Sequence, residues 1–424
     1  MSTGLIIAAP HSGSGKTTLT LGLLRALSRM GHGVRGAKSG PDYIDPHFHE
    51  AACGAPCRNL DAWAMTPDRI RSLAQGDGTL IVEGAMGLFD GAPPEGRGAT
   101  ADLARILGLP VVLVVDAGRM AQSIAPLVAG FAGHDPAVRI AGVILNNVGS
   151  DRHEGMLRKA LAPLAIPVLG AAARSAALSR PSRHLGLVQA GEQPDLESFL
   201  ESAADAVAAA VDLATIVALA APLAPVAAAP GLPPPAQKIA VARDAAFAFS
   251  YPHMLDDWRR AGAEILPFSP LADDPVPPCD LVFLPGGYPE LHAGRLAGNN
   301  IFMQSLKDAT ENTDIYGECG GYMVLGDRLT DGEGRHHAMA GLLRLETSFA
   351  RRQLHLGYRS LIAGRGPFCG AWAGHEFHYA TTLRAEGDPL FKAEDAEGTA
   401  LPDMGLRLGR VCGSFAHLID RPLP

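Results

Sequence analysis

The chain has 424 residues, 47% of them hydrophobic, which is enough for two or three globular domains with substantial cores. Its formal charge of −8 excludes a general nucleic-acid binder, because no basic excess exists to neutralise a phosphate backbone. The opening MSTGLIIAAP lacks the basic segment and long apolar core of a signal peptide, and the six cysteines form no CxxC pair, so a cytoplasmic protein with reduced thiols is expected.

In chain order, the apolar run GLIIA leads into APHSGSGKTT (Ala9–Thr18) and then into KTTLTLGLLRALSRMG, whose apolar residues recur at helical spacing up to Gly31. Pro10 stands where the pattern GxxxxGK[ST] has its first glycine. Gly15-Lys16-Thr17 nevertheless falls between a strand and a helix, the setting a phosphate loop requires. Backbone N–H groups from Gly13, Gly15 and their neighbours through Thr17 would meet nucleotide phosphates at the helix start, with Thr18 next in the nucleotide contact. Lys16 would neutralise charge and the Thr17 hydroxyl would ligate Mg²⁺.

Acids follow at strand ends or in glycine-rich turns: Asp42 and Asp45 in GPDYIDP, Asp61 in NLDAW, Glu83 and Asp90 in VEGAMGLFDG, and Asp116 in VVDA. Mg²⁺ beside ATP needs one or two such carboxylates, although each alone also reads as a turn or helix cap. Lys38, in the glycine-rich loop GAKSGPD, reads either as a group meeting a substrate carboxylate or γ-phosphate, or as a solvated lysine. The pair His47 and His49 in DPHFHE has HxH spacing but no third ligand, which favours a local loop role.

Near-continuous apolar runs at Thr79–Gly84, Pro110–Ala117, Ala141–Asn147 and Pro167–Gly170 predict strands buried on both faces, hence a parallel sheet covered by helices. The apolar stretch from Leu213 to Leu232 contains three prolines and is unsuited to a membrane helix. An Ala/Pro-rich linker over 219–236 is expected to separate a first domain, 1–218, from a second, 237–424.

The second domain restarts the alternation with KIAVARD (Lys238–Asp244), the amphipathic YPHMLDDWRRAG, DLVFLPGG (Asp280–Gly287) and TDIYGECGG (Thr313–Gly321). In the last of these Cys319 lies between Gly317 and Gly321, a GxCxG form of the nucleophile elbow. The helix behind it is expected to lower the thiol pKa and favour a nucleophilic thiolate. His417 in GSFAHLID supplies a base, and Gly286-Gly287 supply backbone N–H groups for an oxyanion. GHEFHYA (Gly374–Ala380) lacks HExxH spacing, so a metal reading there is set aside.

PGGYPEL, YGECGGYM and GSFAHL together resemble a class I glutamine amidotransferase domain of the cobyrinic acid type. APHSGSGKTT, KSGPDYIDP, NLDAW and VEGAMGLFDG resemble the dethiobiotin-synthetase-like ATPase domain that accompanies it. In this order, over essentially the whole chain, they are similar to the cobyrinic or hydrogenobyrinic acid a,c-diamide synthases. The resemblance implies an α/β protein: an N-terminal P-loop parallel-sheet domain plus a C-terminal α/β class I glutamine amidotransferase domain. It implies a cytoplasmic ligase of cobalamin biosynthesis that uses ATP, Mg²⁺ and glutamine to amidate the a and c acetates of hydrogenobyrinic or cobyrinic acid.

Carried over by position, the resemblance implies Cys319 as nucleophile and His417 as its base, with Lys16 and Thr17 on phosphate and Mg²⁺ and with Asp61 and Glu83 as metal ligands. Lys38, Asp42 and Asp45 would face the reacting carboxylate and phosphate, and Asn146 the adenine. Cobyric acid synthase and nickel-sirohydrochlorin a,c-diamide synthase share these motifs, whereas a ParA-like switch ATPase leaves the cysteine elbow unexplained. Many class I amidotransferases carry a glutamate two residues after the histidine. Here that position is Ile419, followed by Asp420, so the third group of the site has no assigned residue. No nucleic-acid or membrane partner is expected, and a homodimer stays open.

Overall fold

TGLIIA extends as β1 (Thr3–Ala8), buried from Gly4 onward, and KTTLTLGLLRALSR coils behind it as α1 (Lys16–Arg29). The computed structural model describes residues 2–174, 182–183, 186–187 and 195–422, which form two compact units, Met1–Ala229 and Pro230–Pro424.

In the first unit, six further strands join β1: β2 (Val34–Ser39), β3 (Arg58–Leu60), β4 (Thr79–Glu83), β5 (Val111–Asp116), β6 (Ile140–Val148) and β7 (Val168–Ala173). Their order is β3-β2-β4-β1-β5-β6-β7, with every neighbouring pair parallel. The four runs read as buried strands are β4 to β7, and Leu113, Val114, Ile144 and Leu145 have no exposed surface. From β1 the chain builds one side of the sheet through β2 to β4, then crosses to the other through β5. Such a reversal opens a crevice at the carboxyl ends of the central strands, the position where α/β sheets bind ligands.

Two segments differ from their sequence reading. VRGAKS is strand β2, so Lys38 lies on a buried strand and not in a loop. DPHFHEAAC is helix α2 (Asp45–Cys53), so His47 and His49 belong to a helix as well. That helix starts because Asp42 Oδ1 accepts from the N–H groups of Ile44 and Asp45, and it stops at Gly54, with φ +69°.

The Ala/Pro segment is not featureless either. Helix Leu213–Leu219 precedes it, and Ala221–Pro222 pairs antiparallel with Thr3 and Gly4. β5 pairs with β1 only from Ile6 onward, so the first residues of β1 have a free side that this short strand fills. No helix among the described residues is long and apolar enough to cross a membrane.

The second unit holds a parallel sheet in the order Glu264–Phe268, Lys238–Ala242, Leu281–Leu284, Asp314–Glu318, Val411–Ser414, edged by the antiparallel strand Leu406–Leu408. Phe247, Phe283, Phe302 and Trp258 are buried around it. Between Asp314–Glu318 and Val411–Ser414 the chain adds antiparallel strands that the sequence reading did not anticipate. One sheet of them runs Ala400–Met404, Phe391–Glu394, His355–Ala363, Gly370–His378 and is completed by His417–Asp420, which follows Val411–Ser414 in the chain.

Two glycines in helices make opposite predictions. A β-carbon at Gly22 in α1 would lie 2.5 Å from Val207 Cγ2 and 2.6 Å from the Ala203 carbonyl, on the neighbouring helix Leu196–Ala210. Gly155, exposed in helix Asp151–Leu161, has nothing within 4 Å of that position. Gly22→Ala is expected to cost about 1–3 kcal/mol through overpacking, and Gly155→Ala to add about 0.5–1 kcal/mol through lost chain entropy. Urea unfolding of the two variants checks the sign of each.

Candidate functional site

The loop after β1 lies at the sheet crevice. Gly13 and Gly15 have φ of +83° and +90°, a left-handed backbone that glycine adopts without penalty. A β-carbon on Gly15 would meet Asn146 Nδ2 at 2.1 Å, and that amide donates to the Ser14 carbonyl at 2.9 Å. The loop is thus braced from β6. Lys16 Nζ donates to the Met86 carbonyl at 2.8 Å. Burial, and then the nearby Lys38, lower the Lys16 pKa, so two cations converge where an anion would relieve both. A cleft of about 530 Å³ opens beside the loop, lined by Gly13, Gly15, Thr18, Asn146 and small residues that include Ala171–Ala173 and Ala203.

At the end of β4, Glu83 is wholly buried. Its Oε1 accepts from Thr17 Oγ1 at 2.5 Å and from Lys38 Nζ at 2.8 Å, and its Oε2 bonds His49 Nε2 at 2.7 Å. Sheet register makes this possible, because Lys38 in β2 is the direct Cα partner of Glu83 in β4. Lys38 Nζ also donates to Asp45 Oδ2 at 2.5 Å. Asp45 and His49 stand four residues apart on one face of α2, a spacing visible in the sequence that could have marked His49 as a partner of this cluster.

Burial alone would raise Glu83, but Lys38 and His49 hold it well below the usual carboxylate range. Burial and the neighbouring Asp42 push Asp45 up to about 6 despite Lys38. Lys38 is lifted above an ordinary lysine, since Asp45 and Glu83 outweigh its burial. Asp42 sits at the start of α2 as its cap. Asp61 follows β3, with β2 between its strand and β4, and its Oδ1 accepts from the N–H groups of Trp63 and Ala64.

In the second unit, Cys319 is the first residue past strand Asp314–Glu318 and carries φ +45°, a strained conformation for a non-glycine residue. The elbow closes only because its flanks are bare. A β-carbon on Gly321 would sit 2.0 Å from the Leu284 carbonyl, and one on Gly317 would sit 2.7 Å from the Gly321 carbonyl carbon. His417 follows the adjacent parallel strand, Val411–Ser414. The Gly286 β-position lies 2.8 Å from His417 Nε2 and 3.2 Å from Cys319 Cβ, so imidazole and thiol side chain both flank that glycine. The Gly287 nitrogen borders the elbow, 3.0 Å from the β-position of Gly320, and the Gly286 carbonyl is fixed by the Phe249 N–H at 2.9 Å.

One expectation is reversed. The Cys319 thiol is raised well above its ordinary pKa, first by burial and then by the charges of Glu290, Glu376 and Glu318. Helix Gly320–Leu325 has only six residues, and its dipole does not offset that desolvation. The resting thiol keeps its proton and needs a base at the moment of attack. His375, the strand partner of His417, is held neutral by burial and by His417 itself, with its pKa lowered to about 3.

GHEFHYA contributes to strand Gly370–His378, not to a helix. His355, Glu376 and His378 come within 4.8 Å of one another, but Arg359 binds Glu376 Oε2 through Nε (3.0 Å) and Nη2 (2.8 Å). The two imidazoles stack at 4.6 Å with planes 11° apart, so their in-plane lone pairs run side by side instead of converging on one ion.

Residues 5–188 match the CobQ/CobB/MinD/ParA nucleotide binding domain family, and residues 238–422 match the CobB/CobQ-like glutamine amidotransferase domain family. The chain is also similar to proteins named hydrogenobyrinate a,c-diamide synthase. The one from Brucella anthropi is 56% identical and that from Rhodobacter capsulatus 56%, each over 98% of both chains. The one from Rhizobium meliloti is 54% identical over 98% of this chain and 99% of its own. A phosphate loop in one unit and a cysteine elbow in the other, matched over nearly the full length, place the chain in the hydrogenobyrinate a,c-diamide synthase family.

Proposed function

We propose that the protein converts the a and c acetate carboxylates of hydrogenobyrinic acid to amides, consuming ATP and glutamine. The observation that carries this reading is the presence on one chain of two complementary sites: a phosphate loop facing Lys38 and Glu83, and Cys319 and His417 flanking Gly286.

The chemistry needs both. A carboxylate resists ammonia because oxide is a poor leaving group. Attack of a carboxylate oxygen on the γ-phosphorus of ATP breaks the β–γ bridge and gives ADP and an acyl phosphate. The loop N–H groups and Lys16 would grip the phosphates, with Lys16 exchanging the Met86 carbonyl for a phosphate oxygen. Lys38, poised between Asp45 and Glu83, would meet the transferred group or the substrate carboxylate. Asn146 borders the small-residue cleft, where adenine would lie. The hard oxygens of Thr17 and Glu83 suit Mg²⁺ and would hold it, while Asp61 joins them on family resemblance alone. Bound Mg²⁺ neutralises phosphate charge.

In the second unit, His417 would take the thiol proton as the Cys319 sulfur attacks the side-chain amide of glutamine. The oxyanion would face the Gly286–Gly287 backbone. The proton returns to nitrogen as ammonia departs, and water then cleaves the thioester to glutamate. Ammonia attacks the acyl phosphate, inorganic phosphate leaves, and an amide remains.

Cys319→Ser should reduce glutamine-driven synthesis by at least about 10³-fold while added ammonia still supports it. Lys16→Ala should reduce synthesis with either nitrogen source by about 10²-fold or more. Equal loss from Cys319→Ser with both nitrogen donors would refute the division of labour. In a separate assay, mass spectrometry of metal-free hydrogenobyrinic acid after incubation should show two successive hydroxyl-to-amino exchanges, both on acetate side chains. Turnover of the cobalt corrinoid alone, or exchange on propionates, would point to a different member of this enzyme group.

A further inference from the structure

His417 lacks its orienting carboxylate at the position where related amidotransferases carry one. Ile419 offers only its backbone carbonyl, which accepts from His253 Nε2 at 2.8 Å. Asp420 stands beside His253 instead, with its carboxylate 3.9 Å from that imidazole.

Another carboxylate stands in that place. Glu318, the residue immediately before Cys319, is buried at the end of strand Asp314–Glu318, and its Oε2 lies 3.5 Å from His417 Nδ1. Its Oε1 accepts from the Leu418 N–H at 3.1 Å, so the carboxylate is clamped to the very strand that carries the histidine. The parallel register pairs Glu318 with Ser414, and the Cys319 N–H donates to the Ser414 carbonyl at 2.8 Å. The Ala416 N–H bonds the Ser414 hydroxyl at 3.1 Å, a turn that brings His417 back over the strand end. The backbone therefore fixes the carboxylate, the imidazole and the cysteine together.

We infer that Glu318 is the positioning residue of the glutaminase site: it accepts the Nδ1–H of His417, leaves the Nε2 lone pair toward Cys319, and stabilises the imidazolium formed when the thiol proton moves to Nε2. The inference rests on the glutamine-cleaving half of the proposed function. Glu318 touches no reacting atom. A separation of 3.5 Å is an ion-pair distance, and such contacts tighten when substrate closes the site. The carboxylate works here because both of its oxygens accept. A glutamine side chain has one acceptor and one donor, so satisfying the Leu418 N–H would turn an amino group on Nδ1 and favour the wrong tautomer.

The test measures glutamate release by the full-length protein and by Glu318→Gln and Glu318→Asp across pH. Glu318→Gln should lower kcat by about 10²–10⁴-fold while KM for glutamine changes less than about threefold. The acid limb of kcat/KM should move to lower pH, since a carboxylate raises the pKa of a neighbouring imidazole. Glu318→Asp should restore part of the rate. An unchanged kcat, or a loss with the acid limb unmoved, overturns the inference. If Glu318→Gln fails to fold, ¹⁵N NMR of the unmutated protein decides, with His417 assigned against His417→Asn: a neutral ring protonated at Nδ1 supports the role, and one protonated at Nε2 overturns it. Failure of the unmutated protein to release glutamate would instead overturn the proposed function, so the two failures are told apart.

Discussion

Glu83 is a carboxylate with no exposed surface, and burying such a charge in an apolar sheet is costly unless donors surround it. Thr17 reaches it from the start of α1, Lys38 from β2 and His49 from α2. Three elements that follow one another along the chain are thereby tied to the end of β4. The phosphate loop inherits its position from this arrangement, because Thr17 belongs both to the loop and to the cluster. Lys38 is likewise aimed at the crevice by the acids that keep it charged.

The cysteine site solves a different problem with the same economy of means. Its strain is local, a positive φ at Cys319, and is accommodated by glycines that let backbone approach backbone at Gly317 and Gly321 and let the His417 ring come close at Gly286. Burial keeps the thiol protonated at rest. Reactivity then depends on a proton acceptor placed by the sheet, not on the short helix behind the cysteine. In both units the reactive groups lie at the carboxyl ends of parallel strands, where successive loops converge and side chains are aligned by register.

Sequence made much of this legible. β1, β4, β5, β6 and Leu281–Leu284 of the second unit are rich in Val, Ile and Leu, the composition that burial on both faces favours. The phosphate loop and the elbow were readable because each demands glycine at fixed positions. β2 escaped notice because VRGAKS has few apolar residues. Its burial comes from neighbours on both sides and from the Lys38 ion pairs, which are tertiary facts. α2 was hidden by its histidines, and the bonds from Asp42 to the helix start appear only in the folded chain. The antiparallel strands between 328 and 404 alternate too irregularly to declare themselves; His355–Ala363 is mostly half-buried. Glu318 is in plain view beside the nucleophile, but the expected place for an orienting carboxylate, downstream of His417, does not point to a residue that precedes the cysteine.

Ala221–Pro222 has a practical consequence for anyone who divides the polypeptide. Composition suggests cutting at 218, yet those two residues cover the open flank of Thr3 and Gly4, and the Leu223 N–H reaches back to the Ser2 carbonyl at 3.0 Å. A fragment ending at 218 would bare peptide groups at the root of the very strand that carries the phosphate loop. Uncovered sheet margins recruit strands from other molecules. Stopping at Ala229 keeps the seal, and with it a fragment suited to remaining monodisperse during purification.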